Sequence, residues 1–99
     1  MLYHGIRFDE DKVAAFCRRH AVARLSLFGS ILRDDFDANS DIDILLEFAV
    51  PTPSLMELGG MQVELTEMLG RDVDLKTWGF IADAIRPFIE RERMVAYAA

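Results

Sequence analysis

A chain of 99 residues can bury one hydrophobic core and has little left for a second, so it is read as a single domain over residues 1–99 with a single site. Hydrophobic residues make up 52% of it and are spread throughout, which excludes a disordered polymer, and no apolar run approaches the roughly 20 residues of a membrane span. Eleven basic against seventeen acidic residues leave a net charge of −6, which opposes direct binding to nucleic acid and makes any anionic ligand depend on local donors or a metal.

The N-terminal stretch MLYHGIRFDEDK is too acidic and too interrupted for a signal peptide, so the expected location is the cytoplasm, with no membrane contact. Val13, Phe16 and Cys17 recur at helical spacing behind Asp9, a candidate N-cap, and predict an amphipathic helix from Asp9 to His20. Cys17 has no partner for a disulfide and is expected to be a small buried hydrophobe. Alternation in Ala23 to Phe28 predicts a strand that stops at Gly29-Ser30, with a short helical turn at Ile31 to Arg33.

Turn formers fill positions 34–40 and deliver the chain into a second predicted strand, Asp41 to Phe48. Period-two geometry sends Ile42, Ile44, Leu46 and Phe48 to one side, and Asp41, Asp43 and, beyond Leu45, Glu47 to the other. Pro51 and Pro53 break the chain before Ser54-Leu55-Met56-Glu57, a capping box that opens a helix with Leu58, Met61, Leu65, Met68 and Leu69 on one face. Gly59-Gly60 should weaken its first turns, and Gly70 should end it. Arg71 to Lys76 reads as a third strand, Phe80 to about Glu90 as a helix kinked or broken at Pro87, and Met94 to Tyr97 as a short edge strand. The expected class is α/β (α+β), a small mixed sheet with helices packed on it.

Several residues have ordinary readings. His4 and His20 lack a ligand-spaced partner and suit surface or helix-end positions. Trp78 and Phe80, in an acidic chain without interleaved basic residues, read as core or partner-contact residues. Glu90-Arg91-Glu92-Arg93 reads as a solvated helix end. The series Asp37-x-Asn39-x-Asp41 imitates the start of a calcium loop, but Ile42 stands where that loop needs glycine and Phe48 where it needs a bidentate glutamate.

Three features together carry chemistry. A Gly29-Ser30 turn closes the first strand, where backbone N–H groups can approach a phosphate and the Ser30 hydroxyl adds a donor. Asp41 and Asp43, two residues apart, point the same way as hard oxygen ligands suited to magnesium, which keeps its other positions for water and substrate phosphates. A further aspartate from the third strand can serve a second metal or accept the proton of a nucleophile; Asp72 and Asp74 share a face and are both candidates by geometry.

Gly29-Ser30-Ile31-Leu32-Arg33 followed by Ser40-Asp41-Ile42-Asp43-Ile44-Leu45 resembles the Gly-Ser, ten-residue spacer, Asp-x-Asp signature of the polymerase-β-like nucleotidyltransferases. Within that superfamily the chain looks most like the minimal nucleotidyltransferase (MNT) antitoxins of the HEPN/MNT toxin–antitoxin systems, from the first strand through Val73-Asp74-Leu75.

The resemblance implies adenylyl transfer from ATP with Mg2+. Gly29 and Ser30 would hold the β- and γ-phosphates, Asp41 and Asp43 would bind the metal, and Asp74, flanked by hydrophobic residues as in the family motif, would be the third carboxylate and activate the attacking hydroxyl. Arg33 would contact phosphate or brace the loop, and Ser40 would cap the turn before the metal ligands. The implied partner is a HEPN-domain toxin, a ribonuclease silenced by adenylylation of a tyrosine, held in a hetero-oligomer. Asp34, where relatives carry a small residue, is expected to face solvent. The alternative is a binding antitoxin that neutralises by occlusion; transfer to a small molecule such as an aminoglycoside would need more protein to enclose the acceptor.

Overall fold

The computed structural model describes residues 1–99 and contains a four-stranded mixed sheet, a separate N-terminal hairpin and three helices. The hairpin joins β1 (Leu2–Tyr3) to β2 (Ile6–Arg7) through His4 and Gly5, both at positive φ, as a tight two-residue turn requires. α1 (Glu10–Arg19) starts where expected, with the Asp9 carboxylate accepting from the Asp11 and Lys12 amides. Its stripe of Val13, Phe16 and Cys17 is buried, and burial pushes the Cys17 thiol up to about 12, so it packs as a hydrophobe.

β3 (Val22–Phe28) is the central strand, paired antiparallel with β4 (Ile42–Phe48) on one side and with β6 (Met94–Ala98) on the other. β4 pairs in parallel with β5 (Val73–Lys76) at the far edge, giving the order β5-β4-β3-β6. The parallel crossover is made by α2 (Leu55–Leu69), whose capping box at Ser54 and Glu57 forms as predicted and whose C-cap is Gly70 at φ +68°. Gly59 and Gly60 do not fray it: both are exposed, and burial of Leu58, Met61 and Leu65 against the sheet outweighs their propensity cost. α1 and α2 cover one face, where Phe16, Leu25, Leu27, Ile42, Ile44, Leu46 and Leu65 form the main core.

The opposite face, which carries Asp43 and Glu47, is covered as well. Leu45, between Asp43 and Glu47, is fully buried with Phe28 beneath Ile89 of α3 (Arg86–Glu92), and Trp78 and Ile81 pack against this second cluster. The segment Phe80 to about Glu90, expected to be helical with a kink or break at Pro87, becomes α3 only from Arg86, after a 3-10 turn over Trp78–Phe80, and Pro87 lies in the opening turn of α3. Proline fits there because its missing N–H would be unpaired in any case.

Candidate active site

The C-terminal end of β3 and the N-terminal ends of β4 and β5 lie at one end of the sheet, which brings Gly29, Asp43 and Asp74 together while Ser40 and Asp41 stay in the connecting loop. Asp43 is the pivot: by register it stands opposite Phe28 of β3 and beside Asp74 of β5. Gly29 follows Phe28 at φ +76° and opens a 3-10 turn, Gly29–Leu32, that starts two residues earlier than predicted. A Cβ on Gly29 would lie 2.2 Å from Asp43 Oδ2, so glycine serves here both for the left-handed backbone and for the space the carboxylate occupies. Burial, and then the Asp74 charge, push the Asp43 carboxyl up to about 6, while Lys76 acts the other way.

Asp74 and Asp72 are separated by the start of the strand. β5 begins at Val73, which leaves Asp72 exposed outside it, its carbonyl accepting from the Ile42 amide at 2.9 Å, whereas Asp74 faces Asp43. Lys76, two residues on, places Nζ 3.3 Å from Asp74 Oδ1. Asp41 precedes β4 rather than opening it, and is exposed. Its charge adds to the upward push on Asp43, but less than burial, Asp74 or Lys76 weigh on that carboxyl. The three aspartates do not form a ready-made cage: no group of three acidic, histidine or cysteine side chains is close enough to hold a metal. Two adjacent carboxylates, one of them pushed up by burial and then by the charge of the other, nonetheless suit a divalent cation that arrives with phosphate oxygens supplying its remaining ligands.

Ser30 lies in the 3-10 turn, and its carbonyl accepts from the Arg33 amide at 2.9 Å. Ser40 is turned into its own loop: its hydroxyl donates to Asp37 Oδ1 at 3.2 Å and accepts from the Asp37 amide at 3.0 Å. The same loop is anchored by Phe36, stacked on His4 at 4.8 Å and covered by the Arg71 guanidinium at 4.6 Å, with Arg71 also donating to the Asp37 carbonyl. Asp34 is exposed, as expected.

The residues that the sequence left out are at the end of α3. Glu92 and Arg93 are not a solvated helix end. Glu92 Oε1 accepts from the Gly29 amide at 2.9 Å and from Arg33 Nη1 at 2.8 Å, so Arg33 braces the turn through a partner 59 residues away. Arg93 donates to Glu47 Oε1 at 2.7 Å while the Trp78 indole donates to Oε2 at 3.1 Å. Burial alone would raise the Glu47 carboxyl, but these two hydrogen bonds hold it below its ordinary value. Glu47 is therefore a strut that fixes α3 over the sheet. The largest cavity, about 510 Å³, is at the opposite end of β4, beside Glu47, Thr77, Trp78 and Phe80, and does not include the aspartates.

A glycine turn whose amide and neighbouring guanidinium already hold a carboxylate oxygen, beside paired carboxylates, suits a nucleotide-handling enzyme, and comparison with known proteins agrees. The Nucleotidyltransferase domain family matches residues 10–96. The chain is 38% identical over 81 residues to an inferred protein adenylyltransferase of Methanocaldococcus jannaschii, covering 82% of this chain and 86% of that one. It is 32% identical over 74 residues to the protein adenylyltransferase MntA of Thermococcus cleftensis, covering 75% and 74%. Among solved structures, a toxin–antitoxin crystallised with AMP-PNP shares the fold at a TM-score of 0.76 and 22% identity, over 93% of this chain and 75% of that one. A tri-AMPylated HEPN toxin from Shewanella oneidensis in complex with its MNT antitoxin shares it at 0.67 and 22%, over 91% and 70%. With the domain matched over nearly its whole length, and with the turn and the paired aspartates meeting at one end of the sheet, the chain belongs to the nucleotidyltransferase domain family and is itself a nucleotidyltransferase.

Proposed function

We propose that this chain is the antitoxin of a HEPN/MNT pair and transfers AMP from ATP to a tyrosine hydroxyl of its cognate HEPN-domain toxin. The observation that carries the reading is the pairing of Asp43 with Asp74 beside the Gly29-Ser30 turn, in a chain similar to proteins named as protein adenylyltransferases. In this reading the Gly29 amide, Ser30 and Arg33 receive the β- and γ-phosphates, and Ser40 keeps the connecting loop in shape. Asp43 and Asp74, with Asp41 from the preceding loop, would hold Mg2+, which when bound neutralises charge on the phosphates and their leaving group.

The protein's own part is positional. The acceptor hydroxyl attacks the α-phosphorus, the new P–O bond forms as the bond to pyrophosphate breaks, and Asp74, the more open of the paired carboxylates, receives the hydroxyl proton. Lys76 beside Asp74 compensates the local negative charge. The acceptor enters from outside, because the described residues enclose no separate cavity around the aspartates. Neutralisation of the toxin by wild-type and Asp41→Asn/Asp43→Asn proteins tests the reading against occlusion. Loss of neutralisation by a folded double variant that still binds the toxin is expected; full neutralisation by it would leave binding alone as the function.

A further inference from the structure

The phosphate turn is occupied by the protein's own carboxylate. Glu92 Oε1 accepts from both the Gly29 amide and Arg33 Nη1, at 2.9 and 2.8 Å, so one anionic oxygen sits where two donors converge. A phosphate oxygen would be received by the same pair of donors, a backbone N–H on a glycine turn and a guanidinium. We infer that Glu92 is a displaceable internal mimic of phosphate, a positioning residue that keeps the Gly29 turn and Arg33 ordered before the nucleotide arrives and competes with its polyphosphate for them. The inference rests on the reading of this turn as the triphosphate site.

Three observations support displacement rather than a permanent brace. The side chains of Arg33 and Glu92 are 51% and 37% exposed, so water can replace the contact at little cost. The backbone around Glu92 is pinned, with Arg93 N–H bonded to the Ile89 carbonyl, the Arg93 guanidinium on Glu47, and Met94 in register with Leu27. Glu92 can therefore leave by rotating its side chain without moving α3 or β6. Its departure also removes one negative charge from beside the incoming phosphates, and a triphosphate carries more charge to place on the same donors than a single carboxylate does. On the carboxylate side Lys76 stands against Asp74 at 3.3 Å, a second internal ion pair at the edge of the site.

The test is binding of inorganic tripolyphosphate, and of ATP, to wild-type, Glu92→Gln and Glu92→Ala proteins by calorimetry in a chelating buffer, with thermal melts of the same samples. Glutamine keeps an acceptor for Gly29 but not the charge; alanine removes both. The inference predicts tripolyphosphate and ATP dissociation constants lower by about two- to fivefold in Glu92→Gln, as expected for removing one partly exposed like charge, and no weaker binding in Glu92→Ala. Unchanged or weaker binding in folded Glu92→Gln, or weaker binding in folded Glu92→Ala, while wild type binds, overturns it and leaves Glu92 as a brace. No binding of either ligand to any of the three proteins in chelator, and none of ATP when magnesium is restored, would overturn the triphosphate reading of the turn itself, and this inference with it.

Discussion

Replacing Gly29 with alanine separates what the turn does for the fold from what it does for chemistry. At φ +76° a Cβ costs about 1–2 kcal/mol, and for a protein of this size that lowers the melting temperature by roughly 4–16 °C. The second effect is local. The new methyl would stand 2.2 Å from Asp43 Oδ2, and because that oxygen is the end of a rotatable side chain, the carboxylate swings aside at little further cost to stability. It then leaves its place beside Asp74, and a displacement of about 1 Å in a group that positions the reaction can cost about 100-fold in rate. Equilibrium unfolding in urea and initial rates of AMP incorporation should be measured on the same preparation. A folded Gly29→Ala protein that retains activity within about threefold would refute the claim that this glycine exists to seat Asp43, because about 100-fold is the predicted loss.

Other perturbations follow from single contacts. Ser26 is fully buried on β3 with its hydroxyl facing no partner, so Ser26→Ala should stabilise by about 1 kcal/mol in urea unfolding; destabilisation would mean the hydroxyl is satisfied in solution. Asp43 has its folded pKa raised from 3.8 to about 6, so in chelator its stabilising contribution is present below the unfolded value and is lost as pH rises through about 6. The nominal shift corresponds to about 3 kcal/mol, and partial solvent access reduces it to on the order of 1 kcal/mol. Asp43→Asn should accordingly be more stable than wild type at high pH, with the gap closing on the acid side; a gap constant across pH would contradict it. Glu47 is the opposite case. Its folded pKa is lowered, so its contribution is present above the unfolded value of 4.5 and is lost as pH falls through the folded one. Glu47→Gln should flatten the acid limb of the stability profile, and an unchanged slope would show that the Trp78 and Arg93 hydrogen bonds do not hold the carboxylate in solution.

The local parts of the fold were readable because their signals are local. Asp9 before an apolar stripe, Ser54 with Glu57, and Gly70 after Leu69 each specify a helix end within a few residues, and all three form. The β1–β2 hairpin was less legible, because its turn, His4-Gly5, puts a histidine at positive φ where asparagine or aspartate would be the usual mark. Pro87 was legible in position but ambiguous in meaning, since proline opens helices as readily as it breaks them. What period-two counting could not resolve was where strands begin: Asp72 and Asp74 look alike until β5 starts at Val73 and the parallel register sets Asp74 against Asp43. The end of α3 was beyond reach for a different reason. Glu92 meets Gly29 across 63 residues and Arg93 meets Glu47 across 46, and an alternating run of glutamate and arginine has the same composition whether it faces water or closes a site. Leu45 gave the one available hint, an apolar residue on an otherwise acidic strand face, which implied that something covers that face.

The most direct test of the central claim is the intact mass of the HEPN-domain partner after incubation with this protein, ATP and magnesium, alongside an Asp43→Asn control. The account predicts an increase by whole AMP units that is absent in the control and maps to tyrosine. An unchanged mass, with the complex formed and the partner inhibited, would contradict it and make this fold a binding module.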